Sequence, residues 1–145
     1  MTTVAEIIKS KPEAKVFSVT PSDTVFSALR LMAEKRIGAL LVMEGERIAG
    51  IFTERDYARK VVLLGRASID TPVREVMTSA VRFVHPSNSA EQCMAVMTEN
   101  RLRHLPVLDE ERVVGLVSIG DLVKSVISEQ QFIITEMERY ITGAR

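Results

Sequence analysis

The chain has 145 residues, 46% of them hydrophobic, with 19 Lys and Arg against 19 Asp and Glu. This size suits one domain, or two half-sized units that fold together, because a unit of about 60 residues buries too little surface to be stable alone. The balanced charge argues against duplex nucleic acid as the main partner, which calls for a clustered basic face. No window approaches about 18 unbroken apolar residues, so no membrane insertion is expected.

The first residues, Met1-Thr2-Thr3-Val4 onward, lack a basic segment leading into an apolar run, so no secretory signal is expected. The single Cys93 cannot form an intramolecular disulfide, and a reducing, cytoplasmic setting is the simple reading. With two histidines 19 residues apart and one remote cysteine, no metal-ligand spacing is present.

In chain order, Val4–Ser10 offers a short helix with Val4, Ile7 and Ile8 on one side. Pro12 and its neighbours break it, and Val16–Val19 reads as a short strand. Thr20-Pro21-Ser22-Asp23 carries helix-start chemistry. From Thr24 to Arg36, Val25, Ala28, Leu29 and Met32 recur at helical spacing. Ala39–Met43 and Ile48–Phe52 read as a strand hairpin, and Thr53 opens a helix that Gly65 closes.

After a linker over residues 66–72 and a helical turn near Val76, the order repeats. Strand Val81–Val84 leads to helix Ser89–Asn100, then to strands near His104–Leu108 and Val113–Val117, then to a helix from Ile119. Apolar spacing through Val123, Ile127, Ile134, Met137 and Ile141 carries this last helix beyond the repeated part. The expected divisions are a lead-in over 1–15, a first repeat over 16–65, a second over 73–128 and a helical extension over 129–145. Part of that extension is expected to pack on a second subunit.

The repetition is internal duplication. A shift of 65 aligns Val16–Val62 with Val81–Ile127 without a gap, with 14 of 47 positions identical, against roughly one in fifteen to twenty by chance. Gly50-Ile51-Phe52-Thr53-Glu54-Arg55-Asp56 matches Gly115-Leu116-Val117-Ser118-Ile119-Gly120-Asp121: glycine, two apolar residues, a hydroxyl, two variable residues, then Asp.

Two readings of this motif stay open on the residues alone. A hydroxyl followed three residues later by an acid resembles a capping box, which satisfies free backbone N–H groups at a helix start. The same helix start is also a seat for phosphate, and a carboxylate one turn in can hold two adjacent ribose hydroxyls. On that reading Gly50 and Gly115 let strand and ligand approach closely.

The duplicated unit resembles a tandem CBS-domain pair, the module named for cystathionine β-synthase. The likeness rests on the two motifs together with Val19-Thr20-Pro21-Ser22, Val84-His85-Pro86-Ser87 and Arg103-His104-Leu105-Pro106-Val107. It implies an α+β fold of two β-α-β-β-α repeats related by pseudo-twofold symmetry, with two clefts between them. It also implies dimerisation and binding of an adenine-containing ligand such as AMP, ADP, ATP or NAD.

Carried over by position, Asp56 and Asp121 would each hold a ribose, with Thr53 and Ser118 near ribose or phosphate. Thr20 and Val25 would serve the Asp121 site, and His85 and Ala90 the Asp56 site. Arg103 and His104 match a basic pair that reaches phosphate, and Arg55 looks toward ligand. The first repeat has Gly38-Ala39-Leu40-Leu41 in place of the basic pair and Pro106, so the two sites are expected to be unequal. No catalytic constellation emerges. The function implied is a nucleotide-sensing regulatory module acting on an effector in trans; the alternative is a dimerisation scaffold with vestigial clefts.

Overall fold

The computed structural model describes residues 2–12 and 15–142. The ends of the expected lead-in and extension, residues 1, 13, 14 and 143–145, lie outside them. Two compact units are present: Lys15–Arg82 is one, and the N-terminal helix joins everything from Phe83 onward in the other.

In the first unit, β1 (Ser18–Val19) lies parallel to β2 (Ala39–Glu44), which pairs antiparallel with β3 (Arg47–Thr53) in the order β1-β2-β3. Helix α2 (Val25–Lys35) covers this sheet; α1 (Val4–Ser10) belongs to the other unit. Thr24 accepts from the Ser27 N–H to cap α2, and Arg36 closes it in a left-handed conformation at φ 56°. The burial pattern of β2, four inward residues in a row, fits a strand covered on both sides.

The core joins Val25, Ala28 and Met32 of α2 to Leu40, Val42 and Phe52 of the hairpin. Val73 and Val76 complete it from a 3₁₀ turn (Val73–Glu75). The helix expected from Thr53 is α3 (Glu54–Asp56), which widens at once into a π-helical turn over Tyr57–Val62. Leu63 and Arg66 close it through i→i−5 bonds to Ala58 and Val61.

The second unit contains α4 (Ala90–Asn100), the antiparallel hairpin β4 (His104–Asp109) and β5 (Arg112–Ser118), and α5 (Ile119–Thr142). The first expected strand of this repeat is reduced to a single parallel bridge, Val84 to Val107. Pro106 explains the difference. Val84 uses the Pro106 carbonyl and the Leu108 N–H, but extending the pair back toward Val81 would need an N–H that proline lacks. Leu41, the equivalent residue in the first repeat, keeps its N–H, and there β1 forms.

Helix α1 is built into this second core. Val4 and Ile7 are buried with Cys93, Met97, Leu105, Val117 and Leu122. The Val4 and Ala5 N–H groups donate to the Asn88 and Pro86 carbonyls, and Thr2 accepts from the Ala90 N–H. Burial pushes the Cys93 thiol up, away from reactive thiolate character.

Candidate functional site

Both motifs form reciprocal caps at helix starts. In the first, the Thr53 N–H donates to Asp56 Oδ2 at 3.0 Å and the Asp56 N–H donates to Thr53 Oγ1 at 3.2 Å. In the second, the Ser118 N–H donates to Asp121 Oδ2 at 2.9 Å and the Asp121 N–H to Ser118 Oγ at 3.1 Å. The capping reading is therefore correct for both, and Asp serves where Glu or Gln is more usual.

What else reaches the carboxylates separates the two motifs. Asp56 is buried, at 7% exposure, and its remaining capacity is taken up within the unit. Thr53 Oγ1 donates to Oδ2 at 3.2 Å, Thr78 Oγ1 to Oδ1 at 3.1 Å, and Lys60 pairs with Oδ1 at 3.3 Å. A ribose there would have to displace protein donors. Asp121 is half-buried; its one further partner is Lys11, whose Nζ donates to Oδ2 at 3.0 Å and to the Leu116 carbonyl at 2.9 Å. Among the described residues nothing bonds to Asp121 Oδ1.

Asp121 and Lys11 stand at the edge of a cavity of about 510 Å³ between α1 and the first turns of α5, within the range of small-ligand sites. Lys124, Ser125 and Ser128 supply donors along its wall, Glu6 and Glu129 supply carboxylates, the latter accepting from Thr2 Oγ1 at 3.4 Å, and Ile7 and Phe132 give it apolar surface. Burial opposes the Asp121 charge, but the Ser118 N–H and the Lys11 ammonium outweigh it and hold the carboxyl below its ordinary range.

Arg103 is exposed, and its carbonyl accepts from the Ile119 N–H at the start of α5. His104 is paired across the hairpin with Ser118. Burial lowers its pKa, Asp121 pulls the other way, and Lys11 and Arg103 lower it further. The two members of the expected basic pair thus differ: Arg103 is exposed, whereas His104 is half-buried and its surroundings favour the neutral ring.

Four further residues are placed by their own units. Thr20 is exposed, with its N–H on Asp23 Oδ2 at 2.8 Å. His85 is also exposed, with Nδ1 3.1 Å from the Leu108 carbonyl oxygen and an edge contact to Phe83. Val25 and Ala90 are fully buried core side chains at first-turn positions of α2 and α4, with N–H groups bonded to Thr71 and Thr2. Arg55 is exposed in the first turn of α3.

The motif glycines are corrected. A Cβ on Gly50 would stand 2.7 Å from Met77 Sδ and 2.8 Å from the Thr78 carbonyl oxygen, and one on Gly115 would stand 2.6 Å from Ile8 Cδ1. Each glycine makes room for the segment that leads into the other repeat: Met77 and Thr78 pack on Gly50 of the first, and Ile8 packs on Gly115 of the second. Sequence reading missed Lys11 and Thr78, the two donors those segments deliver. Neither belongs to the repeated motif, and Lys11 lies 110 residues from its partner.

The fold and its paired motifs define a two-repeat module. The CBS domain model matches residues 4–63 and 73–128, and the chain belongs to the CBS-domain family. It is 38% identical to the mitochondrial CBS domain-containing protein CBSX3 of Arabidopsis thaliana, over 98% of this chain and 73% of that one. A solved CBS-domain structure from Burkholderia ambifaria, assigned to signal transduction, matches with 61% identity and a TM-score of 0.86, covering 89% of this chain and 96% of its own. The CBS domain pair of protein MJ0100, solved with 5′-methylthioadenosine and S-adenosylmethionine, shares the fold at TM-score 0.78 and 23% identity, over 89% and 98% of the two chains.

Proposed function

We propose that this protein is a non-catalytic regulatory module that binds an adenosine-containing ligand at Asp121 and passes the bound state to a partner protein in trans. The ligand class is AMP, ADP, ATP or NAD. The carrying observation is Oδ1 of a charged Asp121, which has no partner among the described residues, at the edge of a 510 Å³ cavity. One carboxylate oxygen is fixed by the helix cap and the other is left to accept ribose hydroxyls, with Arg103 and Lys11 in the same unit to meet phosphate. Occupancy would act on the partner through different affinities for two states of the module. Asp56, already satisfied by its own unit, acts as the structural counterpart; this is the inequality that the divergent motifs imply.

We read the module as cytoplasmic and dimeric, the second copy seated on the apolar outer face of α5. The alternative, a dimerisation scaffold with vestigial sites, draws on the same face and on the saturated Asp56.

The test is a thermal-shift panel of AMP, ADP, ATP, NAD and S-adenosylmethionine on ligand-stripped wild type and on Asp121→Asn, which keeps a capping acceptor. Ligand at about 100 times its Kd adds roughly 2.7 kcal/mol, so a bound compound raises the midpoint by about 5–10 °C. The expected result is a shift for at least one compound that Asp121→Asn loses. No shift with any compound leaves the scaffold.

A further inference from the structure

The feature outside the repeated motif that bears most directly on Asp121 is Lys11. It is the residue at which α1 ends, and its own N–H bonds back to the Ile8 carbonyl. The helix that carries it cannot drift, because Val4 and Ile7 are buried, two of its N–H groups are bonded to the Pro86–Asn88 turn, and Ile8 fills the space left by Gly115. A fixed helix end therefore delivers an ammonium to a carboxylate 110 residues away.

An ammonium has three donors. Two are used, on Asp121 Oδ2 and the Leu116 carbonyl, which leaves the third for an anion in the adjoining cavity, where Lys124, Ser125 and Ser128 add donors and Glu6 and Glu129 add opposing carboxylates that make the Lys11 charge the more necessary. While no anion is present, Lys11 neutralises the carboxylate and weakens it as an acceptor for neutral hydroxyls. A phosphate group draws the ammonium toward itself and returns full charge to Asp121 as the ribose arrives.

We propose that Lys11 is the specificity residue of the Asp121 site, making it select phosphorylated adenosine ligands over adenosine itself. This rests on the reading of Asp121 as the ribose acceptor. Lys11 is not part of the duplicated pattern: the residue 65 positions on is Val76, a buried core side chain of the first unit. The selectivity belongs to the Asp121 site alone.

The experiment is calorimetric titration of the full chain with adenosine and with AMP, for wild type, Lys11→Met and Lys11→Arg, with melting curves to establish that each variant is folded. Lys11→Met keeps the apolar stem and removes the charge. Wild type is expected to prefer AMP, and Lys11→Met to bind AMP about 10- to 100-fold more weakly, the value of one charge-assisted bond. Adenosine binding should stay within about twofold or tighten, and Lys11→Arg should keep the preference.

Equal weakening of both compounds in Lys11→Met, or an unchanged ratio, overturns the selectivity and leaves Lys11 a structural latch, with nucleotide binding intact. Wild type that binds neither compound overturns this inference, and the nucleotide reading falls with it only when ADP, ATP, NAD and S-adenosylmethionine also fail to shift the melting midpoint.

Discussion

The carbonyl oxygen of Thr78 lies 2.8 Å from where a Cβ on Gly50 would stand. It is held there by a two-way bridge, since the Ile51 N–H donates to Thr78 O and the Thr78 N–H donates to Ile51 O, each at 2.9 Å. Backbone cannot yield without breaking that bridge, so Gly50→Ala should cost about 2–3 kcal/mol, the upper part of the range for overpacking. Gly115→Ala meets only side-chain atoms of Ile8, Cδ1 at 2.6 Å and Cγ1 at 3.1 Å, which can shift without breaking a backbone bond, and should cost less, about 1 kcal/mol. Urea denaturation of the two variants tests the ordering; equal costs would contradict it.

Asp56 and Asp121 should separate stability from binding. Asp56→Ala strands the Thr53 N–H and the Thr78 hydroxyl in a half-buried setting and removes the partner of Lys60. It should cost about 2–3 kcal/mol. Asp121→Ala removes one cap and a half-exposed ion pair and should cost about 1 kcal/mol. Denaturation midpoints measured without ligand check the first contrast, and the nucleotide-induced shift should vanish only in the Asp121 variant. A larger stability loss at Asp121 than at Asp56 would count against the assignment of roles.

Much of this was legible in the sequence because it is written in short periods. The 65-residue shift, the helical spacing of Val25, Ala28 and Met32, and the hydroxyl-to-acid spacing of both caps are local signals, and each became an element. The rest depends on contacts that no local period encodes. Helix α1 reads as a lead-in, yet it supplies Val4 and Ile7 to the core of the second unit. Gly50 and Gly115 are visibly special, but only coordinates show that the neighbour is Thr78 in one case and Ile8 in the other. Val25 and Ala90 align with ligand-facing positions by register, and core packing claims their side chains. The missing strand before Val84 was within reach of sequence, since Pro106 stands where its partner strand would need a donor.

Acid should weaken the fold in two separate windows. His104 has a folded-state pKa below its ordinary 6.5, chiefly through burial. As pH falls below 6.5 the unfolded chain takes up that proton first, so stability present above 6.5 is lost down through the lowered folded value. Asp121 is also lowered, from an ordinary 3.8, because the Ser118 N–H and Lys11 outweigh its burial. Its contribution is present above 3.8 and disappears as pH falls through the still lower folded value. Melting temperatures from about pH 7.5 to about pH 5, above the carboxylate range, should fall for wild type and flatten in His104→Gln. An unchanged slope in His104→Gln would show that another group carries it.

The outer face of α5 makes the last prediction. Over its 24 residues the helix buries only Leu122 among the described contacts. Ile127, Phe132, Ile134, Met137 and Ile141 remain between 47% and 79% exposed. Ile127, Ile134, Met137 and Ile141 follow one another at intervals of seven, three and four, which places them on one stripe of the helix. A continuous apolar stripe of this length, facing water, marks an association surface. A matching stripe on a second copy would cover it, in a self-complementary contact of the kind that closes as a dimer. Light scattering behind size exclusion should give twice the 16.2 kDa chain mass, and Ile134→Asp with Met137→Asp should return it to one chain. Neither residue enters the core of the second unit, so the monomeric variant should keep its nucleotide-induced shift if the Asp121 site is complete within one chain. Wild type that runs as a monomer at micromolar concentration would sink the dimer, and a variant that loses binding together with dimerisation would show that the second copy completes the site.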